Sequence, residues 1–262
     1  MARRVALAAA LALLAFPGRA RAMDRFEIQV YGPDLNGPGE FGLELHLNFT
    51  PVGSSVPAYP GAVPLDHSGH YTLEAALGVL EWLELGAYLL TYSAPDFGYR
   101  YGGWKVRAKG IVPRRLTGDF FLGLNVEVGK VQPEVEENAW STEFRPILGW
   151  SSDWVYLSVN PILGFALGGP GAYRVEFGPC AKVDLNTQLG FGVGLEYYTT
   201  MGFLDALPGP AQWEQVLFAA ADLLPPAGAA ESAWELNLGV GRGLTSASPQ
   251  QWVVKAIAGH SF

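Results

Sequence analysis

The residue types best suited to catalysis lie together in one short segment, Asp66-His67-Ser68-Gly69-His70. A serine can act as a nucleophile when a histidine takes its proton and a carboxylate orients that histidine. His67 and Ser68 are adjacent, however, and adjacent side chains on an extended segment point to opposite faces. The sequence therefore predicts no catalytic residues, and a hydrolase is the least favoured of the functions considered.

Metal and nucleotide sites are weakly supported as well. Asp66, His67 and His70 have suitable side chains, but three ligands on one flexible loop do not make a pre-formed coordination site. The glycine-rich stretches 190–194 and 239–243 lack the GxGxxG spacing and open no helix, so they fit a strand that another segment approaches closely. We predict neither a metal nor a cofactor.

The elements that must position any site are strands, because side chains alternate between apolar and polar along most of the chain. In 41–49, 120–128 and 173–183, every second residue is mainly apolar, and the residues between them are mostly charged, polar or glycine. Each segment therefore has one apolar face. These segments span about 10–14 residues, whereas soluble strands usually have about 5–6. Strands that cross a membrane need about 9–11.

Aromatic residues collect near the ends of these strands, as interfacial girdles require. They are Trp82, Tyr92, Trp104, Trp140, Trp150, Trp154, Trp213, Trp234 and Trp252. The last strand ends on Phe262, which resembles the assembly signal that outer-membrane proteins present to their insertion machinery. We predict an all-β fold, a transmembrane antiparallel β-barrel. A secreted sandwich or lipocalin-like barrel is the alternative.

The first 22 residues have the pattern of an export signal. Arg3 and Arg4 precede an apolar run over 5–16, which is too short to cross a bilayer as a helix, since that takes about 20 residues. Ala20 and Ala22 are the small residues expected before a cleavage site. We predict a signal peptide over 1–22, cleaved before Met23. The single cysteine, Cys180, excludes an internal disulfide and leaves no lipid-carrying cysteine after the signal.

Without its four signal arginines the chain has 13 basic residues against 25 acidic ones, a formal net charge of −12. Nucleic-acid binding depends on basic surfaces that neutralise phosphates, so nucleic acid is excluded as a partner.

Thirteen segments alternate, whereas bacterial single-chain barrels have even strand numbers. They are 25–31, 40–50, 70–79, 82–92, 101–112, 118–130, 140–150, 154–167, 172–184, 187–200, 212–223, 232–242 and 251–262. The long links 51–69, 131–139 and 201–211 fall on the extracellular side when the C-terminus is periplasmic. Counting 25–31 as a strand would place the N-terminus outside the cell. We therefore predict a barrel of about twelve strands over 40–262. The leader, residues 23–39, would lie in the periplasm or in the lumen.

The polar face of these strands predicts a charged lumen. Its inward residues are Glu44, Glu84, Lys105, Arg107, Lys109, Glu127, Glu143, Arg145, Arg174, Glu176, Lys182, Asp184, Glu196, Glu235 and Lys255, together with Glu74 and Glu214. Two arrangements fit. Lys105, Arg107 and Lys109 could face acidic walls across a water-filled pore, as charged rings tune selectivity. Alternatively, the charges could pair into a network that conducts little.

Several stretches resemble a known family of proteobacterial outer-membrane β-barrels described only as hypothetical proteins or putative transporters. They are FEIQVY (26–31), PGEFGLELHLNF (38–49), EFRPILGW (143–150) and the C-terminal 241–262. The resemblance implies the barrel and carries no site residues. We expect an outer-membrane channel or transporter for small solutes, which the leader could gate. A non-conducting, surface-presenting barrel is the second candidate. Expected partners are lipid, lipopolysaccharide, the barrel-insertion machinery and the solutes, and the expected state is a monomer.

Overall fold

A computed structural model describes residues 23–223 and 233–262. The predicted signal peptide, 1–22, lies outside these residues. Within them, no helix has the length and apolar character needed to cross a bilayer.

The described residues form twelve strands, and three of these strands are interrupted. They are β1 (Phe41–Gly53), β2 (Ser68–Leu80), β3 (Leu83–Ala94), β4 (Gly98–Ile111), β5 (Phe120–Val131), β6 (Trp140–Ser151), β7 (Val155–Asn160 and Leu163–Ala166), β8 (Glu176–Phe177 and Cys180–Asn186), β9 (Phe191–Thr200 and Gly202–Phe203), β10 (Glu214–Leu223), β11 (Trp234–Gly243) and β12 (Gln250–Ser261). One helical turn, α1 (Arg114–Thr117), and a 3₁₀ turn (Pro210–Gln212) complete the described elements.

Each strand pairs antiparallel with its neighbours in the chain, and the first pairs with the last. Leu45 of β1 lies opposite Ala258 of β12, which closes the sheet into a barrel. Closure gives the backbone groups of both edge strands partners, as a hydrocarbon environment demands. The prediction of a twelve-stranded antiparallel barrel is confirmed.

The interruptions of β7, β8 and β9 differ from the continuous segments predicted there. Pro161 and Pro179 lie in two of the gaps, and proline has no N–H to donate to a sheet. Single backbone hydrogen bonds bridge the gaps, for example from Gly178 N to Ile162 O at 3.1 Å. The barrel wall is therefore irregular on this side.

The outer face is apolar, as the alternation predicted. On β1, Leu43, Leu45 and Leu47 are exposed, while the residues between them face the lumen. Exposed tryptophans stand near both ends of the barrel: Trp82, Trp154 and Trp234 at one end, and Trp104, Trp140 and Trp252 at the other. The predicted girdle position of Tyr92 is wrong, because this side chain points inward and is fully buried.

The barrel has two distinct ends. The terminal end holds the start of β1 and the end of β12, where Phe41 and Phe262 exchange backbone hydrogen bonds. The loop end carries the links 54–67, 132–139, 167–175 and 204–213.

Candidate functional site: the lumen and the leader

The lumen contains the leader, residues 23–39, as an extended segment without strand pairing. Ile28 packs among Tyr198, Phe218 and Val253 and is fully buried. Tyr31 packs against Ile111, Phe121 and Ile147. Phe26 enters a third cluster, with Leu90 and Tyr92 of β3. The leader therefore contacts inward side chains on opposite walls and crosses the interior of the barrel.

Uncharged polar side chains of the wall bind the leader backbone. Asn48 Nδ2 donates to Arg25 O at 2.9 Å, and Thr72 Oγ1 donates to Phe26 O at 2.9 Å. Asn160 Oδ1 accepts the Tyr31 N–H at 2.7 Å, and Ser158 Oγ donates to Tyr31 O at 2.7 Å. The leader pairs with no strand, so these side chains provide the hydrogen-bond partners that its buried backbone groups need.

Tyr31 is also the centre of a polar cluster. Its hydroxyl donates to the Glu27 carboxylate and lies 2.8 Å from the hydroxyl of Tyr88. Arg145 of β6 lies over its ring, with the guanidinium carbon 4.2 Å from the ring centre. Arg145 Nε also donates to Glu143 Oε1 at 2.7 Å. This cluster joins the leader to β3 and β6.

The basic residues of β4 point inward, and each meets a different group. Lys105 Nζ binds Asp24 of the leader and lies 3.2 Å from Glu127 Oε1. Arg107 binds Glu74 and Glu84, with its Nη2 2.5 and 2.7 Å from their Oε1 atoms. Lys109 Nζ donates to Asp34 O of the leader at 2.8 Å. Lys105 and Arg107 therefore bind carboxylates, and Lys105 and Lys109 also bind the leader.

A second group of ion pairs lines the opposite wall. Lys182 Nζ lies 2.7 Å from Asp222 Oδ1 and 3.0 Å from Asp184 Oδ2. Lys255 Nζ lies 2.5 Å from Glu196 Oε2 and donates to Ile28 O of the leader at 3.0 Å. Lys182 also lies 3.5 Å from Glu196 Oε1. These charges connect β8, β9, β10 and β12.

The remaining residues assigned to the lumen differ in position. Glu176 is buried and lines the same cavity as Met23 and Asp24 of the leader, whereas Glu44 is partly exposed on the inner face. Glu235 lies on the inner face near Glu44 but is exposed, because it stands at the terminal end. The lumen position expected for Arg174 is wrong. It belongs to the link between β7 and β8, where its guanidinium binds Asp205 at 2.6 Å and lies over Phe203.

Gly78 of β2 permits a close crossing at the terminal end. A Cβ atom here would lie 2.1 Å from Gly37 O and 2.2 Å from Asn36 O of the leader. Gly39 N donates to Gly78 O at 2.8 Å, and Asn36 N donates to Glu84 Oε2 at 2.8 Å. The leader is thereby fixed to the wall immediately before it continues into β1.

Two links fold over the lumen at the other end and are called the loop cap, residues 54–67 and 132–139. Val63 N donates to Glu134 O at 2.7 Å, which joins them. Val63 and Val135 are buried in the cluster that contains Phe26 of the leader. The cap is therefore continuous with the packed interior.

The residues considered for nucleophilic chemistry are kept apart. His67 is exposed and its Nδ1 lies 2.9 Å from Asp66 Oδ2. A hydrogen bond from Gly53 N, followed by that of His67, lowers the pKa of the Asp66 carboxyl. Ser68 is buried and donates to Leu65 O, while His70 points inward with its ring against Phe26. No common reaction centre forms from these residues.

Sequence reasoning missed the residues that hold the leader. These residues occupy inward strand positions but carry no charge, so a pattern of charged residues does not mark them: Asn48, Thr72, Ser158 and Asn160. The signal was available, because an amide at a buried strand position needs a hydrogen-bond partner. The partner is the leader backbone, which the strand pattern alone does not locate.

A cavity of about 60 Å³ lies beside the start of the leader, between Met23, Arg145 and Tyr198. Ordinary small-molecule sites measure about 300–1,000 Å³. This cavity is therefore too small for a solute of ordinary size while the leader is in place.

The closed barrel, its apolar outer face and its charged interior define a bacterial outer-membrane β-barrel. No protein-family model matches the chain, and no curated protein matches its sequence.

Solved structures with the same fold are bacterial outer-membrane channels. The COG4313 outer membrane channel from Pseudomonas putida F1 is 14% identical with a TM-score of 0.62, and the match covers 90% of this chain and 100% of the channel. The KdgM porin is 10% identical with a TM-score of 0.54, and the match covers 84% of this chain and 99% of the porin. A second KdgM porin structure, in complex with disordered oligogalacturonate, has a TM-score of 0.52 at 10% identity and coverages of 85% and 99%. These likenesses concern the fold.

Proposed function

We propose that the protein is an outer-membrane channel for small solutes whose lumen is closed by its own leader. The observation that carries this proposal is the position of residues 23–39 across the interior. Twelve strands enclose more space than the side chains of eight-stranded barrels fill. Here the additional space holds a chain segment, and removal of that segment would leave a polar passage. The solved channels and porins of the same fold support the same function.

The contacts of the leader suit a plug that can be displaced. Wall side chains bind its backbone, as Asn160 and Lys255 do, and water can replace such hydrogen bonds once the leader moves. The ion pairs Lys182–Asp222 and Arg107–Glu74 lie within the wall and do not depend on it. The terminal end would face the periplasm, lipopolysaccharide would surround the loop end, and the barrel would act as a monomer after insertion by the assembly machinery.

The solutes favoured by this lumen are small and hydrophilic. Its inward surface carries both signs of charge, with Lys105, Arg107 and Lys109 along one strand and Glu196 and Asp184 on the opposite wall. Such a surface does not favour a passage for apolar molecules. We propose no enzymatic activity, since His67, Ser68 and His70 do not converge.

The test is single-channel conductance in planar bilayers. Protein beginning at Met23 is compared with a variant lacking 23–39 and with the double variant Ser158→Ala, Asn160→Ala. We expect rare openings in the first, steady conductance after the deletion, and more frequent openings in the double variant. Ser152→Ala is the matched control, since its hydroxyl contacts only the turn near Val155. Silence from all folded variants would refute the channel and favour the non-conducting barrel.

A further inference from the structure

Three inward side chains on β1 and β2 have no role in holding the leader backbone. Glu44 and His46 are two residues apart on β1 and so share a face, and Glu74 of β2 lies directly opposite Glu44 in the strand register. Like charges placed directly opposite on one face repel and destabilise the pair. Arg107 offsets part of this repulsion by binding Glu74 Oε1, and a cation on the side of Glu44 and His46 would offset the rest.

His46 points into this pair. Its side chain is fully buried, and its Nε2 lies 2.7 Å from Glu44 Oε1 and 3.6 Å from Glu74 Oε2. Neither ring nitrogen makes a hydrogen bond of acceptable geometry with the described residues. A buried polar group without a hydrogen bond is costly, so an imidazole in this state points to a missing partner.

We propose that His46, Glu44 and Glu74 bind a divalent transition-metal ion of the zinc type. Zinc accepts histidine nitrogen and carboxylate oxygen at about 2.0–2.2 Å, and ligand atoms at tetrahedral angles are then roughly 3.3 Å apart. The separations of 2.7 and 3.6 Å bracket that value. A small movement of Glu44, whose side chain is 17% exposed, opens the space that the ion requires.

The surroundings of the three side chains are compatible with a bound ion. Glu74 uses Oε1 for Arg107, so that Oε2 remains directed at His46. Gln29 of the leader donates to Glu44 Oε1 at 3.3 Å, which places the leader beside the site. The partial exposure of Glu44 also provides a path for entry. All three ligands project from two paired strands, and rigid elements of this kind hold ligands more accurately than loops do.

A second group of carboxylates provides a contrast within the same lumen. Asp24, Glu27 and Glu127 also lie close enough to share an ion. Lys105, however, binds both Asp24 and Glu127, so an ammonium already bridges two of the three carboxylates. It also lacks a histidine. We therefore assign the metal to the group with His46 and use the other group as a control.

The test is isothermal titration of Zn²⁺ into the full barrel, beginning at Met23 and purified in detergent. We expect saturable binding of about one ion per chain. His46→Gln and Glu44→Gln should each weaken it at least about tenfold, since even partners outside the ligand set alter metal affinity by about 10–100-fold. Glu127→Gln and His67→Ala should leave affinity unchanged. A hundredfold excess of Mg²⁺, which prefers oxygen ligands, should not displace the ion.

Four outcomes would each overturn the proposal: absence of saturable binding, unchanged affinity in His46→Gln, loss of binding in His67→Ala, or displacement of Zn²⁺ by Mg²⁺. Each variant is first shown to be folded by its faster migration on unheated gels. If His46→Gln does not fold, Glu44→Gln decides the question, because its partly exposed side chain can be changed with little effect on packing. The zinc titration does not depend on conductance. If no zinc binds, the channel proposal can still be tested separately in planar bilayers.

Discussion

The guanidinium of Arg145 on β6 lies 4.2 Å from the ring centre of Tyr31 in the leader, so one cation joins the barrel wall to the segment inside it. The same guanidinium binds Glu143 and donates from Nη1 to Gln29 O at 3.3 Å. Arg145 is nearly completely buried. A cation over an aromatic ring contributes about 2 kcal/mol or more when both are desolvated.

Replacement of Arg145 should therefore release the leader. Arg145→Met leaves Glu143 without its cation and removes the contact with Tyr31, and breaking a buried ion pair costs about 3–5 kcal/mol. We expect openings in planar bilayers to become several-fold more frequent and trypsin to cleave after Arg25. The control is Arg115→Met, since Arg115 and Glu81 form an exposed pair on the outside. Equal behaviour of the two variants would count against this role of Arg145.

Gly78→Ala should displace the leader at the terminal end. The added methyl would meet the backbone oxygens of Asn36 and Gly37, and backbone cannot rotate away as a side chain does. We expect loss of the Asn36–Glu84 hydrogen bond and a higher open probability in single-channel records. Gly110→Ala is the matched control, because its Cβ would find its nearest neighbour at 3.6 Å. An unchanged open probability in Gly78→Ala would show that this crossing does not restrain the leader.

Deletion of Phe262 should reduce assembly in cells. Its backbone pairs with Phe41 across the seam, and its side chain is largely exposed beside His260. The exposed ring contributes little to packing, so its loss should lower the amount of inserted barrel far more than the stability of barrels that do assemble. Outer-membrane levels and thermal unfolding are measured together. Normal levels would contradict the assembly role of this residue.

Unheated protein should migrate faster than boiled protein on SDS gels. A sheet closed by β1 and β12 has no exposed edge, so detergent alone does not open it, whereas heat does. Circular dichroism of the unheated sample should show strand structure with little helix. Identical migration before and after boiling would contradict the closed barrel.

The fold was predictable because alternation determines which face of a strand meets lipid. On β1 the residues from Phe41 to Phe49 alternate without exception, and their exposure alternates in the same way. The gaps in β7 and β8 were not predicted. Pro161 and Pro179 keep the period of two, and only their missing N–H groups reveal the break.

The alternation predicted most of the charged residues that point into the lumen, but it did not predict which of them form ion pairs. Lys255 meets Glu196, 59 residues away, because β12 and β9 lie on the same wall, separated by β10 and β11, and their inward side chains converge. Such partners depend on barrel curvature, which no local pattern encodes. The leader was separated from the barrel because thirteen segments alternate, whereas an even number of strands was expected. Its contacts with Asn160 and Lys255 required the three-dimensional arrangement.

The pairing of β1 with β12 has a consequence for the order of folding. The seam joins the two most distant strands of the chain, so the barrel cannot close until its last strand has been delivered. The leader is covalently continuous with one side of that seam, and Asn36 of the leader already touches Ser261 of β12 through a 2.8 Å hydrogen bond. That hydrogen bond can form only once β12 is in place, so we expect the leader to be fixed against the seam in the step that closes the barrel.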